Sequence, residues 1–348
     1  MREEQEGRNR LCGLDWIRSA AAFMVVLLHT SGIQFVEYEG SWGGVGAFYD
    51  SLTRCSVPLF FMITGYFLLT GKKESIAVFI RRRFLRVFLP FLMLGFVYAI
   101  WKGWDFKELI KAMFIHGPMD YHLWYVYYII GIYLVIPFLN PIFQLENKKI
   151  IEYYIVIWFI SFIFFQTITG VFNFYWNPFV TFNFYYFQGF LGYVVLGGLL
   201  RILFEELNNK QISNIRSFTW INLTLFIFNG FLIFGCTYYF SMKENKPVQL
   251  FFEYSNLFVF LQSLTFFCGC YYIKLLPRLV YVISKYSYWV YLLHILCLQL
   301  VLKKISIVEN SILTIPVASL LTFMLAFFMS IPLLKIENFI VEKMRRCF

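Results

Sequence analysis

Charge is scarce in this sequence. Only 14% of the 348 residues are charged, whereas 60% are hydrophobic and 22% are aromatic. A soluble domain of this length needs far more charge to cover its surface, and 44 Phe and 24 Tyr side chains cannot all be buried in one soluble core. The composition therefore excludes an ordinary soluble domain and predicts an all-α integral membrane protein.

Cysteine is also sparse, and its spacing fits neither a zinc site nor a disulfide framework. The seven cysteines are mostly scattered through apolar stretches, and Cys268 and Cys270 lie only two residues apart. The sequence has no GxxxxGK phosphate loop, no HExxH zinc motif and no GxSxG nucleophile elbow. We therefore expect no metal site.

The net charge of +10 is carried by basic residues at the ends of apolar stretches. This distribution argues against nucleic acid as a partner and indicates contact with anionic membrane lipids. The N-terminus lacks the short apolar core and cleavage site of a removed signal peptide. We therefore expect residues 1–13 to remain as a cytoplasmic N-terminal segment.

Apolar stretches of membrane-spanning length predict about ten transmembrane helices. The predicted spans are 14–34, 47–70, 84–101, 123–144, 150–168, 185–204, 218–240, 251–273, 284–303 and 311–334. Lys and Arg cluster in alternate loops and near both chain ends, which places both termini in the cytoplasm by the positive-inside rule. The sequence thus predicts a transmembrane domain over residues 14–334 and a cytoplasmic tail over residues 335–348.

Two polar residues stand out in the first predicted span. Arg18 and His29 are eleven positions apart, which is three turns plus about 20°, so both lie on one helix face. The rise is roughly 16 Å, which places His29 near the bilayer midplane if Arg18 lies at the cytoplasmic rim. An ionisable residue at that depth usually faces a pocket or a water path. The alternatives are a snorkelling arginine and a structural histidine held by one interhelical hydrogen bond.

A second histidine is predicted at a similar depth. His294 follows Lys285 by nine residues, a rise of about 13 Å, and Ser287 and Tyr291 share its helix face. Two histidines at one depth, on two helices, favour a shared buried site. The alternative is that His294 is a packing residue.

A basic run and an aromatic run mark the two predicted membrane surfaces. In RRRFLR, Arg82 and Arg83 lie four and three residues before Arg86, so they are its neighbours on a helix. Such a cluster at a cytoplasmic rim is either a topology anchor or a phosphate site, and charge alone favours the anchor. At the outer interface lie His122, Trp124 and Tyr125, and an aromatic belt alone would explain Trp124 and Tyr125.

Together these features resemble acyltransferase family 3, a family of integral membrane acyltransferases. RSAAAFMVVLLH matches the family's Arg-x10-His motif at Arg18 and His29. RRRFLR is similar to the family's RRxxR element at Arg82, Arg83 and Arg86.

The resemblance extends over nearly the whole chain. SVPLFFMITGYFLL, which contains Tyr66, looks like the family's FFxxSGY motif with Thr64 in place of the serine. The hydroxyl is kept, but the change argues against a nucleophilic role for it. YHLWYVYYIIGIYLVIP and YSYWVYLLH match two further family stretches. Within the family, the chain is most similar to stand-alone members that O-acetylate enterobacterial common antigen and other surface polysaccharides.

The resemblance implies a reaction and a location. The donor is expected to be acetyl-CoA on the cytoplasmic side of the bacterial inner membrane, and no cofactor is expected to be bound permanently. The acceptor is expected to be a sugar hydroxyl of a lipid-linked or surface glycan.

The resemblance also implies roles for individual residues. In this scheme Arg82, Arg83 and Arg86 bind the donor phosphates. His29 is a general base or a transient acyl carrier, and Arg18 holds a phosphate or stabilises charge in the transition state. The residues expected to contact the acceptor are His122, Trp124, Tyr66 and His294.

Three alternatives remain open from the sequence. The first is a transporter or flippase for a lipid-linked glycan, which buried histidines would also suit. The lack of an internal repeat argues mildly against it. The second is a membrane sensor or resistance module, because related membrane domains are fused to serine racemases. The third is transfer of another acyl group, such as succinyl, on the same scaffold.

Overall fold

The computed structural model describes residues 11–37, 44–172, 178–209, 214–306 and 311–346. The structure is 85% helical and contains no strand within these ranges. Nine helical segments there are long and apolar enough to cross a membrane. A further 19-residue helix, Leu191–Asn209, packs among them and carries charged residues in its last third. The prediction of an all-α integral membrane protein with about ten long helices is confirmed.

The helices are, in chain order, α1 (Cys12–Glu37), α2 (Val45–Thr53), α3 (Ser56–Leu68), α4 (Ile76–Arg83), α5 (Leu89–Lys102), α6 (Phe106–Phe114), α7 (Trp124–Leu139), α8 (Lys148–Trp158), α9 (Phe165–Phe172), α10 (Pro178–Thr181), α11 (Leu191–Asn209), α12 (Ile215–Glu244), α13 (Leu257–Tyr271), α14 (Arg278–Leu302) and α15 (Ser311–Arg346). Short π-helical segments, Phe84–Phe88 and Phe159–Phe164, join α4 to α5 and α8 to α9.

Helix α1 lies at the centre of the bundle. It packs on α2, α3, α13, α14 and α15. Small residues permit this close packing: Ala21 and Ala22 are buried in the core, and the Ser19 hydroxyl donates to the Val280 carbonyl of α14 at 2.9 Å. The polar residues of α1 are therefore presented to several helices at once.

Helices α3 and α11 touch backbone to backbone. A Cβ added at Gly65 would lie 1.7 Å from the Val194 carbonyl oxygen, and one added at Gly197 would lie 1.9 Å from the Met62 carbonyl oxygen. Only glycine fits at these two positions, because any side chain would separate the helices. This contact fixes the position of α3, which lines the site described below.

Two predicted spans differ from the helices in the structure. The span predicted over 47–70 is divided into α2 and α3, with Arg54 in the turn between them. The span predicted to begin at residue 84 begins at Ile76, and its basic run lies inside the helix rather than before it. Arginine is a good helix former, so the charges that end the apolar stretch do not end the helix.

The last helix also extends beyond its predicted end. Helix α15 continues past residue 334 to Arg346, so the described part of the predicted tail is helical. The Trp289 indole donates to Glu337 at 2.6 Å and fastens this extension to α14. The Trp16 indole donates to the Leu275 carbonyl at 2.8 Å, so the start of α1 lies at the same end of the bundle. The predicted N-terminal segment lies mostly outside the described residues.

The short helix α6 was not predicted from the sequence. Its capping box is formed by Asp105 and Glu108, and its apolar face buries Leu109 and Met113. The Met113 carbonyl accepts a hydrogen bond from the Tyr127 hydroxyl at 2.7 Å. This contact helps to position α7, which carries part of the site.

Candidate functional site

A cavity of about 640 Å³ opens between α1, α3, α4, α7 and α14. Its volume lies within the range of roughly 300–1,000 Å³ that is usual for small-molecule sites. Its walls carry the guanidinium groups of Arg18, Arg83 and Arg86 and the carboxylate of Asp15. Three cations against one anion make this cavity, called the inner cavity below, suitable for an anionic ligand.

Arg18 is held in place at the wall of the inner cavity. Its Nη1 atom lies 4.0 Å from Asp15 Oδ1 and donates to Ser284 Oγ at 3.4 Å. Its guanidinium carbon lies 5.5 Å from the centre of the Phe67 ring. The side chain is still 30% exposed. Arg18 is therefore oriented by its neighbours and remains accessible to a ligand.

The structure separates the three arginines that the sequence grouped together. Arg83 and Arg86 line the inner cavity. Arg82 lies outside the lining, is 59% exposed and pairs with Glu74 at 2.5 Å. Successive residues of a helix point about 100° apart, so Arg82 and Arg83 face different surroundings. Of the three arginines predicted to bind the donor phosphates, Arg83 and Arg86 thus line the inner cavity together with Arg18, and Arg82 does not.

Two tyrosines separate the inner cavity from a deeper set of histidines. The ring centres of Tyr125 and Tyr291 are 5.4 Å apart, and both residues line the cavity. The Tyr291 hydroxyl donates to the backbone carbonyl of His122, and its ring centre lies 5.6 Å from that of His294. The end of the cavity farthest from the arginines therefore adjoins the histidines.

Helix α1, helix α14 and the 3-10 turn before α7 bring His29, His294 and His122 together. The ring centres are 5.1 Å apart for His29 and His294, 4.8 Å for His122 and His294, and 6.5 Å for His29 and His122. His122 and His294 are buried, whereas His29 is partly exposed. We call these three residues the histidine cluster. The sequence placed His29 and His294 at one depth but did not place His122 beside them.

The hydrogen bonds of His294 define its tautomer. Its Nδ1 atom lies 2.5 Å from the Tyr291 carbonyl oxygen, which can only accept, so Nδ1 carries the proton in the neutral ring. Its Nε2 atom is buried and has no hydrogen-bond partner within the described part of the chain. An unpaired buried acceptor is costly, which marks this atom as one that a ligand would satisfy.

Asp120 was missed in the sequence analysis and lies beside the histidine cluster. Its Oδ1 atom accepts from the Tyr121 amide at 2.8 Å and lies 3.8 Å from His122 Nδ1. Its Oδ2 atom accepts from the Tyr98 hydroxyl at 3.0 Å. Burial alone would raise the pKa of Asp120, but these neighbours outweigh burial and lower it. The available signal was an acid two residues before a histidine.

Two residues predicted to contact the acceptor, Trp124 and Tyr66, contact other aromatic residues in the structure. The ring centre of Trp124 is 5.1 Å from that of Phe190 and 6.0 Å from that of Tyr254. The Tyr66 hydroxyl shares a 3.0 Å hydrogen bond with the Tyr271 hydroxyl, between α3 and α13. Neither residue lines the inner cavity. The contacts of both residues are those of helix packing.

An ion pair on the second predicted span was also missed. Asp50 is fully buried, and its Oδ2 atom lies 2.5 Å from Nη2 of Arg54. The signal in the sequence was two opposite charges four residues apart inside an apolar span. The pair lies beside α1, because a Cβ added at Gly32, three residues after His29, would lie 3.8 Å from Asp50 Oδ2.

Comparisons with known proteins agree with the resemblance noted in the sequence. A family model described as an acyltransferase domain matches residues 12–332. An amino-acid racemase of Enterococcus faecalis is 29% identical over 123 residues, which are 33% of this chain and 16% of that protein. A serine/alanine racemase of Enterococcus gallinarum is 30% identical over 128 residues, which are 32% of this chain and 17% of that protein. The matched region is thus a small part of each of these curated relatives. No solved structure matches the chain.

Proposed function

The chain belongs to acyltransferase family 3, and its described residues include nine helical segments long and apolar enough to cross a membrane. From this premise we propose that it is a membrane acyltransferase, and we propose its donor and acceptor. The donor is cytoplasmic acetyl-CoA, and the acceptor is a sugar hydroxyl of a lipid-linked or surface glycan in the bacterial inner membrane. The observation that carries the proposal is an arginine-lined cavity whose far end adjoins three histidines.

The inner cavity suits the nucleotide end of the donor. Arg83 and Arg86 offer planar, permanently charged donors that can bind phosphate oxygens in pairs. Arg18, on the opposite wall, can hold a further phosphate. An uncharged glycan would gain little from this concentration of charge, so the cavity favours the donor over the acceptor.

The distance from Arg18 to His29 suits the long, thin pantetheine arm of the coenzyme. The helix rise between the two residues is roughly 16 Å. Along this path the wall passes from the arginines to the rings of Tyr125 and Tyr291. We expect the thioester to pass these two rings and to reach the histidine cluster.

His29 then acts on the acceptor by one of two routes. As a general base, it takes the proton of the attacking hydroxyl, and this proton passes to the departing thiolate of coenzyme A. As an acyl carrier, its ring nitrogen displaces the thiolate, which leaves with the imidazole proton; the sugar hydroxyl then displaces the imidazole and gives it the hydroxyl proton. Atoms and charge balance in both routes.

The acceptor approaches from the end of the bundle opposite the arginines. His29 is partly exposed, and the ring centre of Tyr121, which is itself exposed, lies 5.3 Å away. Tyr121 begins the short 3-10 turn that leads into α7, and Tyr133 of α7 lines the arginine side. His29 thus faces the acceptor side, and the unpaired Nε2 atom of His294 can accept a hydrogen bond from the sugar hydroxyl.

The proposal is tested with purified protein in lipid nanodiscs and labelled acetyl-CoA. We expect acetyl-CoA turnover that His29→Ala abolishes. In cells, glycans from strains with and without the gene should differ by the mass of one acetyl group per modified sugar. A difference matching succinyl would replace the donor in the proposal. Movement of a glycolipid across vesicles without any acyl-CoA would make the protein a flippase instead.

A further inference from the structure

The ion pair of Asp50 and Arg54 occupies an unusual position in an apolar bundle. Arg54 lies in the turn between α2 and α3, within a segment that crosses the membrane. Asp50 is fully buried, and 16% of the Arg54 side chain is exposed. Charged residues at such positions are costly and usually serve a binding or transport path.

The pair lies directly beside the catalytic face of α1. A Cβ added at Gly32 would lie 3.8 Å from Asp50 Oδ2, and Gly32 is three residues, or about one turn, beyond His29. The guanidinium carbon of Arg54 lies 4.3 Å from the centre of the Phe252 ring. The pair therefore lies on the acceptor side of His29.

The turn between α2 and α3 has another support. Gln262 of α13 accepts from the Cys55 amide at 3.2 Å and donates to the Ser51 carbonyl at 2.8 Å. This buried side chain bridges the turn by itself. Holding α2 against α3 is therefore not a sufficient reason for a buried ion pair at the same place.

One atom on each side of the pair is left without a partner. Asp50 Oδ1 and Arg54 Nε are both buried and have no hydrogen-bond partner among the residues that the structure describes. One is an acceptor and the other a donor, and each costs free energy while it is unpaired. A hydroxyl group can donate to the first and accept from the second. The two charges cancel, so the site does not favour an anionic ligand over a neutral one.

We infer that Asp50 and Arg54 form a subsite for a neutral, hydroxyl-bearing sugar ring next to His29. The inference rests on the proposed function, because it names the part of the protein that holds the acceptor. The subsite binds the sugar and orients the reacting hydroxyl, and the acyl chemistry stays with the histidine cluster.

The test separates the two half-reactions of the purified protein in nanodiscs. The donor readout is acetyl-CoA hydrolysis without an acceptor. The acceptor readout is acetyl transfer to octyl β-D-glucopyranoside, kept below its micelle-forming concentration, with the acidic octyl β-D-glucuronide as comparison. For Asp50→Asn, and for the double variant Asp50→Asn with Arg54→Gln, we expect hydrolysis within about two-fold of wild type and transfer reduced by about ten-fold or more, as for a lost hydrogen bond to a charged group.

The double variant guards against misfolding, because it leaves no buried charge unpaired. Glu206→Gln is the matched control, since it breaks a 2.5 Å ion pair with Lys148, and neither residue lines the inner cavity. We expect it to leave both readouts unchanged.

Three results would overturn the subsite. The first is an equal fall of hydrolysis and transfer in the double variant, which indicates a structural ion pair. The second is unchanged transfer in the double variant. The third is a wild-type protein that prefers the glucuronide, or that hydrolyses acetyl-CoA but does not acetylate the glucoside. Absence of wild-type hydrolysis and transfer together would instead contradict the proposed function itself.

Discussion

The inner cavity and the histidine cluster lie along the same helix, α1, but use different chemistry. The inner cavity has three permanent cations that remain accessible, as at Arg18. The histidine cluster has imidazoles, two of them buried, and the charges nearest to it are paired. Permanent charge at the rim is suited to binding a polyanion, whereas a buried titratable ring is suited to moving a proton or an acyl group. In the proposed scheme, one membrane helix separates donor binding at Arg18 from chemistry at His29 by about three turns.

The largest effect is expected from removing His29. His29→Ala should lower kcat for acetyl transfer by at least about 100-fold, because it removes the base or acyl carrier. The dissociation constant of acetyl-CoA, measured by equilibrium binding to the nanodisc-embedded protein, should stay within about three-fold, because Arg18, Arg83 and Arg86 are intact. A parallel loss of binding and turnover would remove the distinction between the two regions.

The next largest effect is expected at the arginines. Their substitution should change KM for acetyl-CoA, whereas substitution of His29 should change kcat. Arg83→Ala with Arg86→Ala should raise KM for acetyl-CoA by about ten- to 100-fold, because each guanidinium contributes a charged hydrogen bond to the donor. Arg82→Ala is the matched control, since Arg82 pairs with Glu74 outside the cavity, and KM should change by less than about two-fold. Equal effects of all three substitutions would show that the arginines act only as a surface charge.

A smaller effect is expected at His294. His294→Gln should lower kcat about ten-fold and raise KM for the acceptor, because its Nε2 atom is available to accept a hydrogen bond from the acceptor hydroxyl. The KM for acetyl-CoA should be unchanged. Steady-state kinetics with each substrate varied in turn measures both constants. An increase confined to the KM of acetyl-CoA would place His294 with the inner cavity instead.

The smallest effect is expected at Asp120, which contacts the histidine cluster through His122. Asp120→Asn should lower kcat only a few-fold, about the loss expected when one positioning contact is weakened. Because the pKa of Asp120 is lowered in the folded protein, its carboxylate stabilises the fold above its ordinary pKa of 3.8, and this contribution is lost as the pH falls below that value.

Thermal unfolding as a function of pH tests the role of Asp120 in stability. Wild type should unfold at a higher temperature than Asp120→Asn near neutral pH, and the difference should shrink below pH 3.8. Asp105→Asn, at the N-cap of α6, is a control in a nearby loop. A difference that does not depend on pH would show that Asp120 acts through shape rather than charge.

Composition and spacing alone predicted much of this protein. Apolar stretches predicted the long helices because the length of a span is set by the bilayer. The eleven-residue interval between Arg18 and His29 predicted one helix face, because the helix period is fixed by the backbone. Helix ends were predicted less well, because an apolar stretch shows which residues lie in the membrane and does not show where the helix ends. Helices α4 and α15 both continue through charged residues.

Only the tertiary structure decided which polar residues meet. It joined His122 to His29 and His294, separated Arg82 from Arg83, and placed Asp50 with Arg54 beside α1. These contacts depend on how helices rotate and approach one another, as where Gly65 and Gly197 allow α3 and α11 to touch. A single sequence predicts which residues share a face of each helix, because the helical period fixes which side chains lie next to one another. Which faces come together is set by packing among all the helices at once.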